Sequence, residues 1–172
     1  MIEIDYANSK ISDFIDLQEK LIKIRDNIAP DFFVHIIDLN LIKNLKKKYS
    51  QYENIILIGR GGSTSSFEAI FRSLKEFDSD KKIFIIKTLD LDYIQFVKKQ
   101  CPKKNSIVIV ISKSGNTVDV NENFFQFQEY KIITITTPNN NVLHKISTQL
   151  KLESIPHPEI GGRFTGGTEV AL

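Results

Sequence analysis

Four short apolar runs set the rhythm of the chain. Ile55-Ile56-Leu57-Ile58, Ile83-Phe84-Ile85-Ile86, Ile107-Val108-Ile109-Val110-Ile111 and Ile132-Ile133-Thr134-Ile135 are nearly continuous rather than alternating. Runs of this kind suit strands buried on both faces of a parallel sheet. They recur about every 25 residues, room for one strand and one returning helix. Helix-like stretches lie between them, from Ser63 to Phe77, Asp90 to Gln100, Thr117 to Glu129 and Asn141 to Gln149. A fifth short strand is expected near Leu152 to Ile155. The alternation predicts right-handed βαβ units and an α/β fold: a doubly wound, mainly parallel five-stranded sheet flanked by helices.

The opening of the chain reads differently. Ile11, Phe14, Ile15, Leu17, Leu21, Ile22 and Ile24 recur at helical spacing. Ala29-Pro30-Asp31 breaks that pattern, and Asp31 can cap a second helix carrying Phe33, Val34, Ile37, Leu41 and Leu45. Residues 1–50 are thus expected to form a helical segment packed on a domain formed by 51–172, with one domain overall. The 172 residues suit that size.

Charge and composition narrow the partners. A formal net charge of +2 argues for neither nucleic acid nor a membrane surface. Lys46-Lys47-Lys48 reads as a solvated helix end, with cations near the negative pole of the helix dipole. Lys103-Lys104 reads as a solvated loop entering a strand. Cys101 is the single cysteine, so no intrachain disulfide is expected. Met1-Ile2-Glu3-Ile4-Asp5 lacks a basic segment before a long apolar one, and no apolar run approaches bilayer length. A cytoplasmic location is the expectation.

Candidate chemistry sits in two loops. Gly59-Arg60-Gly61-Gly62-Ser63-Thr64-Ser65-Ser66 follows the first apolar run, and Ser112-Lys113-Ser114-Gly115-Asn116-Thr117 follows the third. Each opens a predicted helix at the carboxyl end of a strand, where ligands bind in open α/β sheets. Small residues admit a ligand to the backbone, and hydroxyls with free helix N-terminal N–H groups bind anionic oxygens. A dinucleotide fits poorly: Thr64 stands where a third glycine is needed, and Asp90 and Asp92 are badly placed for a ribose. No Gly-Lys-Ser/Thr follows the first glycine, so the P-loop pattern fails too. A terminal phosphate, held by Ser63, Ser112, Ser114 and Thr117, fits better. The competing reading is that these hydroxyls cap helices, but a cap needs only one per helix.

The same residues carry a family resemblance. Gly59-Arg60-Gly61-Gly62-Ser63 resembles the first phosphate loop of the sugar isomerase (SIS) domain, and Val110-Ile111-Ser112-Lys113-Ser114-Gly115-Asn116-Thr117 resembles its second. Ile160-Gly161-Gly162-Arg163-Phe164-Thr165 is similar to the Gly-Gly-Arg-Phe-Ser element of the glucose-6-phosphate isomerase family. The resemblance runs from about Ile55 to the C-terminus. It implies a metal-free and cofactor-free aldose–ketose isomerisation of glucose 6-phosphate and fructose 6-phosphate through a cis-enediolate. It implies that Gly62, Ser63, Ser112, Ser114 and Thr117 hold the sugar phosphate and that Lys113 lies near the sugar. Arg163 matches the arginine that stabilises the enediolate, a sound role for a guanidinium aimed at developing oxyanion charge. Homodimerisation is implied for the full-length family enzyme.

Departures from the pattern matter as well. Arg60 replaces a small apolar residue, which leaves a phosphate contact and a solvent-facing side chain both open. Asp119 stands where the family commonly has glutamate, so any substrate contact there would be shortened. Thr165 replaces serine, a mild change. The family's glutamate base and ring-opening histidine lie beyond the Gly-Gly-Arg-Phe element, and none of His35, His144 and His157 matches the latter. The chain is therefore expected to resemble the first sugar isomerase domain, supplying phosphate binding and Arg163 but not the base. The alternatives are a single-domain SIS phosphosugar-binding regulator and another sugar-phosphate isomerase.

Overall fold

The computed structural model describes residues 38–74 and 80–158, together with Glu19 and Ile22. The chain divides into two compact units, Met1–Ile36 and Ile37–Leu172, and the continuous described segments fall in the second. Glu19 and Ile22 of the predicted first helix are helical; the rest of that helix, the Asp31 cap, Phe33, Val34 and Ile37, His35, and the element around Arg163 lie outside the described residues.

The described elements run α1 (Leu39–Tyr49), β1 (Asn54–Gly59), α2 (Gly62–Leu74), β2 (Lys82–Ile86), α3 (Leu91–Gln100), a 3₁₀ turn (Lys103–Asn105), β3 (Ser106–Ile111), α4 (Val118–Gln126), β4 (Lys131–Thr136), α5 (Val142–Gln149) and β5 (Glu153–Pro156). Every strand pair is parallel, in the order β2-β1-β3-β4-β5. All four apolar runs are strands, and the fifth strand lies within a residue of its predicted place.

Local chemistry explains the helix ends. The Asp38 carboxylate accepts from the Asn40 and Leu41 amides and starts α1, and Asp90 does the same for α3 through Asp92 and Tyr93. Asp90 is thereby committed to the backbone, consistent with its unsuitability for a ribose. Helix α4 stops at Gln126, short of the expected Glu129. The Phe127 amide turns to the Phe124 carbonyl (3.0 Å) and the Tyr130 amide to Phe127 (2.9 Å). Phe127 is fully buried and packs edge-on against Tyr130, so burying both rings costs the last helical turn.

The sheet separates two cores. On one face Ile56, Ile58, Val108, Val110 and Ile132 meet α3, α4 and α5 through Ile94, Val97, Val120, Phe124 and Leu143. On the other, Leu57, Ile107, Ile111, Ile133 and Ile135 meet Leu41, Leu45 and Tyr49 of α1 and Phe67 of α2. Helix α1 thus packs on the sheet through Leu41 and Leu45, two of the residues that periodicity placed on one side of the second helix, and through Tyr49, which it did not name. Its basic end is solvated as expected, but Lys48 also donates to Glu153 of β5 (2.5 Å), and the Tyr49 hydroxyl donates to the same oxygen. Burial pushes the Tyr49 phenol up to about 12, with the Glu153 carboxylate adding to the shift. Burial alone would raise Glu153, but its bonds from Lys48 and Tyr49 outweigh that and hold it below the ordinary carboxylate range. Lys103 pairs with Glu129 at the opposite end of the sheet from the two Gly/Ser loops. No helix among the described residues is long and apolar enough to cross a membrane.

Two outcomes follow from these placements. A depressed carboxyl pKa stabilises the fold above its unfolded value and loses that contribution as pH falls through the native one. Denaturant titrations of the parent and Glu153→Gln should therefore separate near neutrality and converge below about pH 4. Cys101 caps α3 fully buried, and burial pushes its thiol up to about 11. It should resist a thiol reagent at pH 8 in the native chain and react at once in denaturant; fast native labelling would contradict this placement.

Candidate functional site

Strand order fixes where the two loops meet. The chain leaves β1 toward β2 and leaves β3 toward β4, so the sheet has its switch point between β1 and β3. Those strands pair through to their last residues, Gly59 opposite Ile111. A Cβ on Gly59 would stand 2.6 Å from Thr64 Cγ2 and 3.2 Å from the Ile111 carbonyl oxygen, so glycine lets α2 begin close against the strand pair.

In the first loop Gly61 takes φ +58, and its carbonyl accepts from the amides of Thr64 (3.1 Å) and Ser65 (3.0 Å) and from both their hydroxyls. Thr64 and Ser65 thus return their hydroxyl protons to the backbone of their own loop. Ser63 is different. Half-buried in the first turn of α2, its hydroxyl has no hydrogen-bond partner among the described residues, nor do the amides of Gly62 and Ser63.

The second loop is held by its own hydroxyls and by the neighbouring strand end. Ser112, buried at the end of β3, receives the Gly115 amide on Oγ (3.1 Å) and donates its own proton to Thr117 Oγ1 (3.2 Å). Thr117 occupies the N-cap position of α4 yet makes no side-chain cap bond. Among the described residues its hydroxyl proton therefore has no acceptor, and the amides of Val118, Asp119 and Val120 in the first turn have none either. Ser114, exposed, accepts from the Asn116 amide (3.4 Å) and keeps a proton to give. Lys113 is half-buried between them, and its carbonyl accepts from Thr137 (3.3 Å). The two helix starts together present hydroxyl and amide donors, the set an anionic oxygen requires.

Gly115 locks this loop to its neighbour. It has φ +65, and an added Cβ would lie 1.8 Å from Asn141 Oδ1. Asn141 is buried, accepts from the His144 amide (2.8 Å) to cap α5 and donates to the Thr137 carbonyl (2.7 Å). The Gly115 carbonyl in turn takes the Leu143 amide (3.0 Å) and Asn121 Nδ2 (3.2 Å).

One contact escaped sequence reasoning. Arg60, which could have met a phosphate or solvent, pairs instead with Asp119 of α4, so the first loop is tied to the first turn after the second. Opposite charges 59 positions apart give no periodic signal; only the strand order brings them together. Of the histidines singled out, His144 rides half-buried on α5, and buried His157 lies beside Pro158; elsewhere, Glu68 of α2 pairs with Lys87, which follows β2, and with Arg72. Among the described residues no cluster of three His, Cys, Asp or Glu is placed to hold a metal.

Comparison with known proteins follows the same lines. No family model matches the chain. A curated glucose-6-phosphate isomerase of Mycoplasmoides gallisepticum is 31% identical over 151 residues, covering 77% of this chain and 35% of that protein. The structure of a glucose-6-phosphate isomerase from Chlamydia trachomatis superposes with a TM-score of 0.63 at 26% identity, over 77% of this chain and 28% of that one. A hypothetical protein of Thermus thermophilus shares the fold, with a TM-score of 0.75 at 18% identity over 91% of this chain and 41% of that one. The chain spans well under half the length of the curated relatives it matches.

Replacing Gly115 tests the lock. Gly115→Ala combines a left-handed backbone with a collision against Asn141, and should cost about 2–4 kcal/mol in denaturant unfolding. Adding Asn141→Ala to it should recover little, because that change relieves the collision but uncaps α5.

Proposed function

We propose that this chain, which belongs to the glucose-6-phosphate isomerase family, holds the phosphate of glucose 6-phosphate or fructose 6-phosphate between its two Gly/Ser loops and serves their interconversion. The observation that supports this most is the surplus of donors. Ser63, Ser114 and Thr117 keep hydroxyl protons that the fold does not use, beside unpaired amides at both helix starts. In this reading Gly62 and Ser63 cover one side of the phosphate. Thr117 and Ser114 donate from the other, and Ser112 orients Thr117 rather than donating itself. A helix that spent Thr117 on its own cap would have no such proton to offer.

The chemistry follows from where the sugar would extend. With the phosphate fixed at the switch point, the carbonyl end projects away from the sheet edge, past Lys113. Moving a proton between C2 and C1 leaves an enediolate, whose oxygens need cationic or hydrogen-bond stabilisation as charge develops. Lys113 and Arg163 are assigned that task, Arg163 from its place in the Gly-Gly-Arg-Phe element. We assign the proton-moving base to none of the residues described.

Calorimetric titration of the chain with glucose 6-phosphate and fructose 6-phosphate tests the reading. Both should bind, and unphosphorylated glucose should not. Thr117→Val and Ser63→Ala should each weaken binding about tenfold or more, the range for a hydrogen bond to a charged group. Silence toward both sugar phosphates, or an unaltered Thr117→Val variant, would sink the assignment. Tighter binding of an unrelated sugar phosphate would favour a phosphosugar-sensing module instead.

A further inference from the structure

We propose that Arg60 is a positioning residue of the phosphate cradle, holding the carboxylate of Asp119 aside so that the start of α4 can receive a sugar phosphate. The proposal rests on the phosphate reading above and adds a residue pair to it.

The start of α4 carries a conflict of charge. Its positive pole and unpaired amides favour an anion. Asp119, in the first turn, already places one there. A sugar phosphate is nearly dianionic at neutral pH. Two anions then compete for one helix end, and a carboxylate at that distance repels the phosphate unless its charge is met elsewhere.

Arg60 meets it. The Asp119 carboxylate is largely buried, and its Oδ2 is shut off from water. No hydrogen bond of ordinary geometry reaches that oxygen, and its partner is the Arg60 guanidinium. In the folded chain the guanidinium, and not water, meets that oxygen. Arg60 approaches from the other loop: it follows the last residue of β1 and precedes Gly61, where the backbone turns through φ +58. Most of the Arg60 side chain stays exposed. The acid of α2, Glu68, is paired with Lys87 and Arg72. The pair therefore neutralises the charge and ties the two loops together at once.

A double-mutant cycle on the full chain separates this role from a direct phosphate contact. Glucose 6-phosphate is titrated into parent, Arg60→Ala, Asp119→Asn and the double variant, with inorganic phosphate as a second probe and thermal melts to establish folding. Arg60→Ala should weaken binding of both probes at least tenfold, about 1.4 kcal/mol. Asp119→Asn should strengthen it, and the double variant should return to within about threefold of the parent, because the repelling charge has gone with its partner. Arg60→Lys, which keeps the charge but not the fork, should fall between parent and Arg60→Ala. A double variant as weak as Arg60→Ala would overturn the proposal in favour of direct contact. Unchanged affinity in folded Arg60→Ala, or in Arg60→Lys and Asp119→Asn should Arg60→Ala not fold, would overturn it in favour of a purely structural pair. Failure of the parent to bind either probe would instead remove the phosphate reading, and this proposal with it.

Discussion

The parallel pairing of β1 with β3 is the constraint on which the rest depends. Both strands end together, and the chain leaves them in opposite directions because β2 and β4 lie on opposite sides of the pair. The opening between their loops is a property of strand order, not of any side chain. Buried β-branched residues on both faces keep those two strands central. What side chains decide is what the opening can hold.

That decision is made by which hydrogen bonds the loops spend on themselves. Thr64 and Ser65 return their protons to the Gly61 carbonyl, and Asn141 closes the start of α5. Ser112 and Thr117 face each other instead, so one hydroxyl orients the next and leaves it a proton to give. Two threonines, each near a helix start, end with different duties because one has a free carbonyl within reach and the other has a serine.

The apolar runs made the strands readable to within a residue or so, since Ile55–Ile58 and Ile107–Ile111 bury both faces and need no tertiary information to be recognised. Most helix starts were equally legible from Asp90 and Asn141. The early end of α4 was not, because the burial of Phe127 against Tyr130 depends on what packs there. Ser63, Ser112, Ser114 and Thr117 could be gathered as a group from their loops, but their hydrogen-bond duties could not. Arg60 and Asp119 illustrate the same limit: their meeting is set by strand order, which composition and spacing leave open.

Cys101 gives the molecule a useful silence. The single thiol of the chain is buried at the end of α3 and reluctant to ionise, so no second thiol competes with one placed on the surface. A cysteine introduced at exposed Val118, in the first turn beside the cradle, could take a fluorescent probe without first removing the native one. The mouth of the cradle could then be watched by its own light as a ligand arrives.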